Sequence, residues 1–234
     1  RDEHGSRTYA IEDCTPNVFE LRDLLLAKSQ YTLVKLSPML DWRKAVADFD
    51  GTVREVHIVA TGNECKELLL VLGQQVHEEP SAPRVFCVND NQRIDYDSAA
   101  YTQGLRIGGK PLPEAKNYLY EPNASIMKAG CFDLVEERFG VTQVGPSSHL
   151  FVSATPVADF PGRGFAIEAI GGMNKKDIKR LLNGTKQANI AVRNFPLTAP
   201  QLRKKLKLAD GGTVYLFGTT MQGGDHVLLR TSKI

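Results

Sequence analysis

The chain has 234 residues, 42% of them hydrophobic and 24% charged, with 20 Gly and 12 Pro. This balance excludes disordered and collagen-like proteins and supplies a core for one large domain or two ordinary ones. Its longest apolar run, residues 68–72, is far short of the roughly 18 residues a membrane span needs, so no membrane partner is expected. The net charge of +2 conceals two unlike regions. Residues 1–173 carry 17 Lys and Arg against 24 Asp and Glu, whereas residues 174–234 carry 12 against 3.

The four cysteines form no C-x-x-C pair, and no histidine stands three or four residues from another histidine or a cysteine. We therefore expect no metal site, no disulfide framework and a reducing, cytoplasmic setting. The opening residues 1–7 contain neither Met nor an apolar signal core, which reads as a piece of a longer protein.

In chain order, residues 7–11 read as a short strand and Asp13 to Asn17 as a helix-start signal for residues 18–28. A strand follows at 31–36, a helix at 41–49 closed by Asp50-Gly51, and a strand at 55–60. Thr61-Gly62-Asn63 is read as a tight turn feeding a helix over 64–72, with a further strand at 84–88. Alternation of strand and helix predicts βαβ units in a mostly parallel sheet, with ligands beyond the carboxyl ends of its strands. Residues 89–113 lose periodicity and collect Gly and Pro, as a boundary does. Residues 123–139 suggest one or two short helices around Gly130, and residues 149–155 and 164–170 suggest strands. Asn174 caps a helix to 182 that Asn183-Gly184 stops, and residues 188–195 form a strand. Thr198-Ala-Pro-Gln201 has capping-box form for a helix to 208, and strands at 213–219 and 226–231 close the chain. This last β-α-β-α-β-β unit should carry both helices on one face of its sheet.

Between residues 174 and 208 stand ten Lys or Arg and one acid, Asp177. A surface of one sign is what the phosphate backbone of RNA requires, and Lys175, Lys176, Lys179, Arg180, Lys186, Arg193, Arg203, Lys204 and Lys205 are the candidate RNA ligands. Only Phe195, Tyr215 and Phe217 are near enough to stack on bases, which favours backbone recognition over sequence readout. Lys35 and Ser37 lie at and just after the end of one probable strand, and Asn63 and Glu64 after another, where the carboxyl-end rule places ligands. The run Tyr118-Leu-Tyr-Glu-Pro-Asn123 reads as packing beside a Pro turn. No G-x-G-x-x-G follows a strand, no P-loop is present and no serine stands in a nucleophile elbow.

The stretches Thr32-Leu-Val-Lys-Leu-Ser-Pro-Met-Leu-Asp41, Glu55-Val-His-Ile-Val-Ala-Thr-Gly-Asn-Glu-Cys-Lys-Glu-Leu-Leu69 and Tyr118-Leu-Tyr-Glu-Pro-Asn123, ahead of a basic C-terminal unit, resemble bacterial class I S-adenosylmethionine-dependent methyltransferases that end in a THUMP-like domain. The resemblance implies an α/β fold: the C-terminal half of a Rossmann-like methyltransferase sheet over 1–100, a linker and small ferredoxin-like module over 101–163, and a basic THUMP-like domain over 164–234. It implies S-adenosylmethionine as cofactor of a longer parent and tRNA or rRNA as its substrate. Lys35, Ser37, Asn63 and Glu64 would line the substrate side of the pocket. The glycine-rich cofactor loop is absent, so this piece is expected to be inactive alone, and no catalytic base is named. The alternative is a non-catalytic RNA-binding or protein-interaction module on an α/β scaffold.

Overall fold

In the computed structural model, residues 16–74, 82–101 and 116–234 are described. They divide into two units, one of 16–74, 82–101 and 123–130, the other of 116–122 and 131–234. The strand expected at 7–11 lies outside the described residues.

The first unit opens with α1 (Val18–Lys28), whose first turn is tied by the Asn17 side chain accepting from Phe19 N, and β1 (Tyr31–Leu36). Asp41 caps α2 (Trp42–Asp48) by accepting from the amides of Arg43 and Lys44. β2 (Val53–Thr61) then turns through Gly62 and Asn63, both at positive φ (+56° and +62°), into β3 (Glu64–Gly73). Two successive left-handed residues make the tight hairpin turn that matches strand twist. Residues 64–72 are therefore a strand and not the expected helix. Leu68, Leu70 and Leu72 are buried while Leu69 and Val71 are half-buried, the period-two pattern of a central strand.

β4 (Arg84–Asn89) and β5 (Gln92–Asp97) complete a sheet of order β1-β3-β2-β4-β5. β3 runs antiparallel to both β1 and β2, and β5 to β4; β2 and β4 alone are parallel neighbours. The expectation of a mostly parallel sheet is thus corrected. β1 and β2 still run in the same direction across the α2 crossover, but the hairpin partner β3 is inserted between them. β5 also lies in what the sequence suggested was a boundary, entered by Asp90 at φ +50°. α3 (Ala124–Ala129) belongs to this unit and accepts at Ala129 O from the Trp42 indole N–H at 3.3 Å.

The second unit contains β6 (Tyr118–Pro122), α4 (Phe132–Phe139), β7 (Thr142–Gln143), β8 (Phe151–Ser153) and β9 (Gly162–Gly171). It continues with α5 (Lys175–Leu182), β10 (Asn189–Arg193), α6 (Ala199–Leu206), β11 (Val214–Thr220) and β12 (His226–Lys233). Its seven strands run in the order β10-β11-β12-β9-β6-β8-β7. The run read as packing beside a turn is thus β6, hydrogen-bonded to β8 and β9. The capping box of α6 is present, with Gln201 N donating to Thr198 Oγ1 and Thr198 N to Gln201 Oε1.

Alternation of side chains sorts this sheet's core into two layers. Leu119, Val152, Phe165, Phe217 and Leu229 line one face; Leu216 and Leu228 line the other and pack against Leu181 of α5 and Leu202 and Leu206 of α6. Both helices share one face, as expected. The pairings make β9, β10 and β11 mutually parallel, yet the two crossovers travel in opposite directions along the sheet. With both helices on one face, one crossover must be left-handed, a departure from the usual right-handed rule.

The sheet is coiled until distant strands meet. Arg193 at the end of β10 donates to Glu121 Oε1 on β6 at 2.7 Å across three intervening strands, and Gln222 N donates to Val144 O at 2.9 Å.

Candidate nucleic-acid interface

α5 and α6 bury Leu181, Leu202 and Leu206 against the sheet, which leaves their lysines outward. Lys175 and Lys179 are four apart on α5 and so share a face. Lys204 and Lys205 stand in the last turn of α6, followed by Lys207 in a left-handed cap. Lys186 joins this end of α6 because its carbonyl accepts from Ala209 N at 2.9 Å, beside the isolated bridge Gln187↔Ala209. These six lysines and Lys176 are all exposed, and none of the seven forms an ion pair among the described residues.

The arginines of the same region are engaged differently. Arg180 donates to Ile170 O and Asp177, and Arg203 to the carbonyls of Ala188 and Ala209 while pairing with Asp210 at 2.6 Å. Arg230 donates to the carbonyls of Leu181 and Leu182 at the end of α5, where a cation also complements the helix dipole, and pairs with Glu168, whose pKa this hydrogen bond lowers. Asp177 accepts from Arg180, Gly172 N and Asn174, and these bonds bring its pKa from 3.8 to about 2. Of the nine candidate RNA ligands, then, six lysines are outward and unpaired, and Arg180, Arg193 and Arg203 hold backbone or buried charge. Lys207 belongs with the six but was not among the candidates.

Helix electrostatics separates these lysines further. Cations at the end of α6 complement its dipole, which gives Lys204, Lys205 and Lys207 a structural reason to be there. Lys175 and Lys176 open α5, where a positive charge opposes the dipole. Their position has no stabilising role that we can find. The nearby aromatics are occupied: Phe217 is buried, Tyr215 packs on Phe165 and Phe195 lies over Gly218. Nothing here offers a free ring to a base.

The structure disperses the four pocket candidates of the first unit. Lys35 Nζ pairs with Glu67 at 2.8 Å, and Ser37 Oγ accepts from Met39 N at 3.3 Å. Asn63 Oδ1 accepts from Ala124 N at 2.8 Å, and Glu64 pairs with Lys66. Leu36 is level with Leu68 of β3, four residues of strand from Glu64, or about 13 Å. The polar group that does gather at this edge is Asp90, accepting from Thr61 Oγ1 at 2.6 Å and from Gly62 N, bonds that lower its pKa. A cleft of about 560 Å³ lined by Tyr31, Arg54, Glu55 and Arg84 opens at the opposite, amino-end edge. Among the described residues, no group of three or more potential metal ligands is gathered, and no helix is long and apolar enough to cross a membrane.

Residues 118–161 match a ferredoxin-like domain family and residues 162–233 a family described as THUMP domain-like. A crystal structure from Porphyromonas gingivalis W83, of a protein named provisionally as a methyltransferase, superposes with a TM-score of 0.86 at 35% sequence identity. The match covers 97% of this chain and 57% of that one, so this chain spans little more than half of its relative's length. No curated protein is similar enough to count as a match.

Proposed function

We propose that this chain is the C-terminal part of an S-adenosylmethionine-dependent methyltransferase that acts on RNA in the bacterial cytoplasm, with the basic second unit holding the RNA. Three things support the reading: the likeness to the P. gingivalis protein, the THUMP-like match and the seven unpaired lysines on α5, α6 and the adjoining loops. The lysines carry most weight, because each phosphate they neutralise releases condensed counterions and drives binding. The occupied aromatics favour backbone over base recognition.

The cofactor belongs to the parent enzyme in this reading. It supplies the transferable methyl group when bound. The described residues do not make its cradle by themselves: Lys35, Ser37, Asn63 and Glu64 are engaged within the fold and dispersed. What this chain contributes is the grip on RNA, which would fix the position of the acceptor nucleotide and so the geometry of attack.

The test is tRNA binding over a salt series by the wild type and by a variant with Lys175, Lys176, Lys179, Lys204 and Lys205 changed to Gln. The arginines are left intact because they hold the fold. We expect the slope of log K against log salt to flatten by roughly 3.5–4.5, at about 0.7–0.9 per lost phosphate contact. Equal slopes for the two proteins would remove RNA from the proposal.

A further inference from the structure

Two local irregularities of the first unit's sheet build an open cleft at its amino-end edge. Val53 is level with Leu72 and Glu55 with Val71, so Arg54 is an extra residue and β2 bulges against β3. Bulges re-aim side chains. Opposite this one β3 ends in Gly73, and the space over that residue is filled from two sides: Arg54 Cγ and Tyr31 Cδ1 lie 3.1 and 3.2 Å from where its β-carbon would stand. The stem of Arg54 and the ring of Tyr31 are thereby held close together, on the face away from the buried Leu70 and Leu72. With Glu55, Val71 and Arg84 they line a void of about 560 Å³.

The walls of this cleft keep contacts that the fold does not use. Val71, Glu55 and Arg84 are level on β3, β2 and β4, so the carboxylate and the guanidinium rise side by side from strands about 4.8 Å apart. Glu55 Oε2 accepts from His57 Nε2 at 2.8 Å, while Oε1 has no partner among the described residues. Arg84 gives its Nε and Nη2 edge to Asp95, which leaves Nη1 without a partner among the described residues and 64% of the side chain exposed. Tyr31 is 61% exposed and stacks on no other ring among the described residues. The lysine helices of the second unit offer no such ring. An open aromatic face beside one acceptor and one donor, next to apolar Val71, is the chemistry that receives an unstacked nucleobase.

We infer that this cleft takes an unpaired guanine, its ring on Tyr31, its N1–H and N2–H donating to Glu55 and its O6 accepting from Arg84. Among the RNA bases guanine alone sets two adjoining N–H donors beside an acceptor, which matches a carboxylate with a guanidinium next to it. Arg54 is a positioning residue, its stem fixing the Tyr31 ring over Gly73. Only RNA as the source of the guanine rests on the proposed function; the cleft stands without it.

The experiment follows the Tyr31 ring resonances by NMR as GMP or AMP is added at matched ionic strength, in the wild type, Glu55→Gln and Tyr31→Ala. All three positions of contact are at the surface, so the variants should fold as the wild type does. We expect saturable binding of GMP at least tenfold tighter than that of AMP, the value of a good bidentate pair. Glu55→Gln should bind GMP about tenfold more weakly and lose the preference over AMP. Tyr31→Ala, followed through the Val71 methyl signals, should weaken both nucleotides roughly tenfold. A second arm compares RNA hairpins that differ only in one loop base, G or A. Tighter binding of the G hairpin, lost in Glu55→Gln, supports RNA as the source; equal binding of the two beside a GMP preference supports the cleft and assigns it to free nucleotide. If GMP does not saturate, AMP binds as tightly, or Glu55→Gln responds as the wild type does, the cleft is no guanine site. That failure is separate from the salt slope of the lysine variant, which tests the RNA reading on the other unit.

Discussion

The two units use charge in opposite ways. In the first, cations are matched within the fold: Lys35 with Glu67, Lys44 with Asp48, Lys66 with Glu64, and Arg84 with Asp95. Such exposed pairs contribute little to stability, but each occupies a cation that a phosphate could otherwise meet. In the second, arginines are consumed by backbone carbonyls and by the carboxylates of Glu121, Asp177, Asp210 and Glu168, while the seven lysines of α5, α6 and their adjoining loops remain unmatched. The difference teaches that counting basic residues overstates an interface. Arginine's planar fork suits internal bidentate contacts, whereas the ammonium group of lysine, strongly hydrated on a flexible stem, stays in water until a phosphate arrives.

The most severe way to break this division is at Glu121. Glu121→Gln leaves two guanidiniums, those of Arg163 and Arg193, without their shared counterion, and should cost about 3 kcal/mol, near the low end for a broken buried pair because both arginines are partly exposed. Chemical denaturation would show it as a lower midpoint. The same change at Glu67, an exposed partner in the first unit, should stay within about 0.5 kcal/mol.

A smaller effect is expected in the first unit's hairpin. Asn63→Ala puts at φ +62° a residue without the short polar side chain that eases the left-handed conformation, and it removes the acceptor for Ala124 N, at a cost of about 1–2 kcal/mol. Asn63→Gly keeps the turn and loses only the contact. If Ala and Gly variants unfold at the same denaturant concentration, backbone strain is not what Asn63 relieves.

The mildest prediction concerns acid. Asp177 has a folded pKa of about 2 against 3.8, so its contribution is present above pH 4 and lost as the pH falls through 2. Amide exchange at Gly172, measured between pH 4 and pH 2 and corrected for intrinsic rates, should rise as the carboxylate is protonated, and Asp177→Asn should flatten that rise. Glu168, lowered by Arg230, titrates in the same direction at the far end of α5.

How far the sequence could be read depended on the range of the forces involved. Asn17, Asp41, Asn174 and Thr198 announce their helices because a capping side chain acts on amides two or three residues away. β3 was misread because residues 68–72 are apolar at both parities, so neither a period of two nor one of 3.6 stands out. β6 was missed because its Pro122 and paired tyrosines resemble a turn, and only hydrogen bonds to β8 and β9, more than 30 residues on, make it a strand. The lysine-rich helices were legible as a charge run.

What the sequence determined by itself was the α/β class, the caps and breaks of most helices, and the concentration of positive charge after residue 173, all set by neighbours along the chain. Tertiary structure alone decided which of those cations are available. Arg193 meets Glu121 across 72 residues and Arg230 reaches Leu181 across 49, separations that no local pattern encodes.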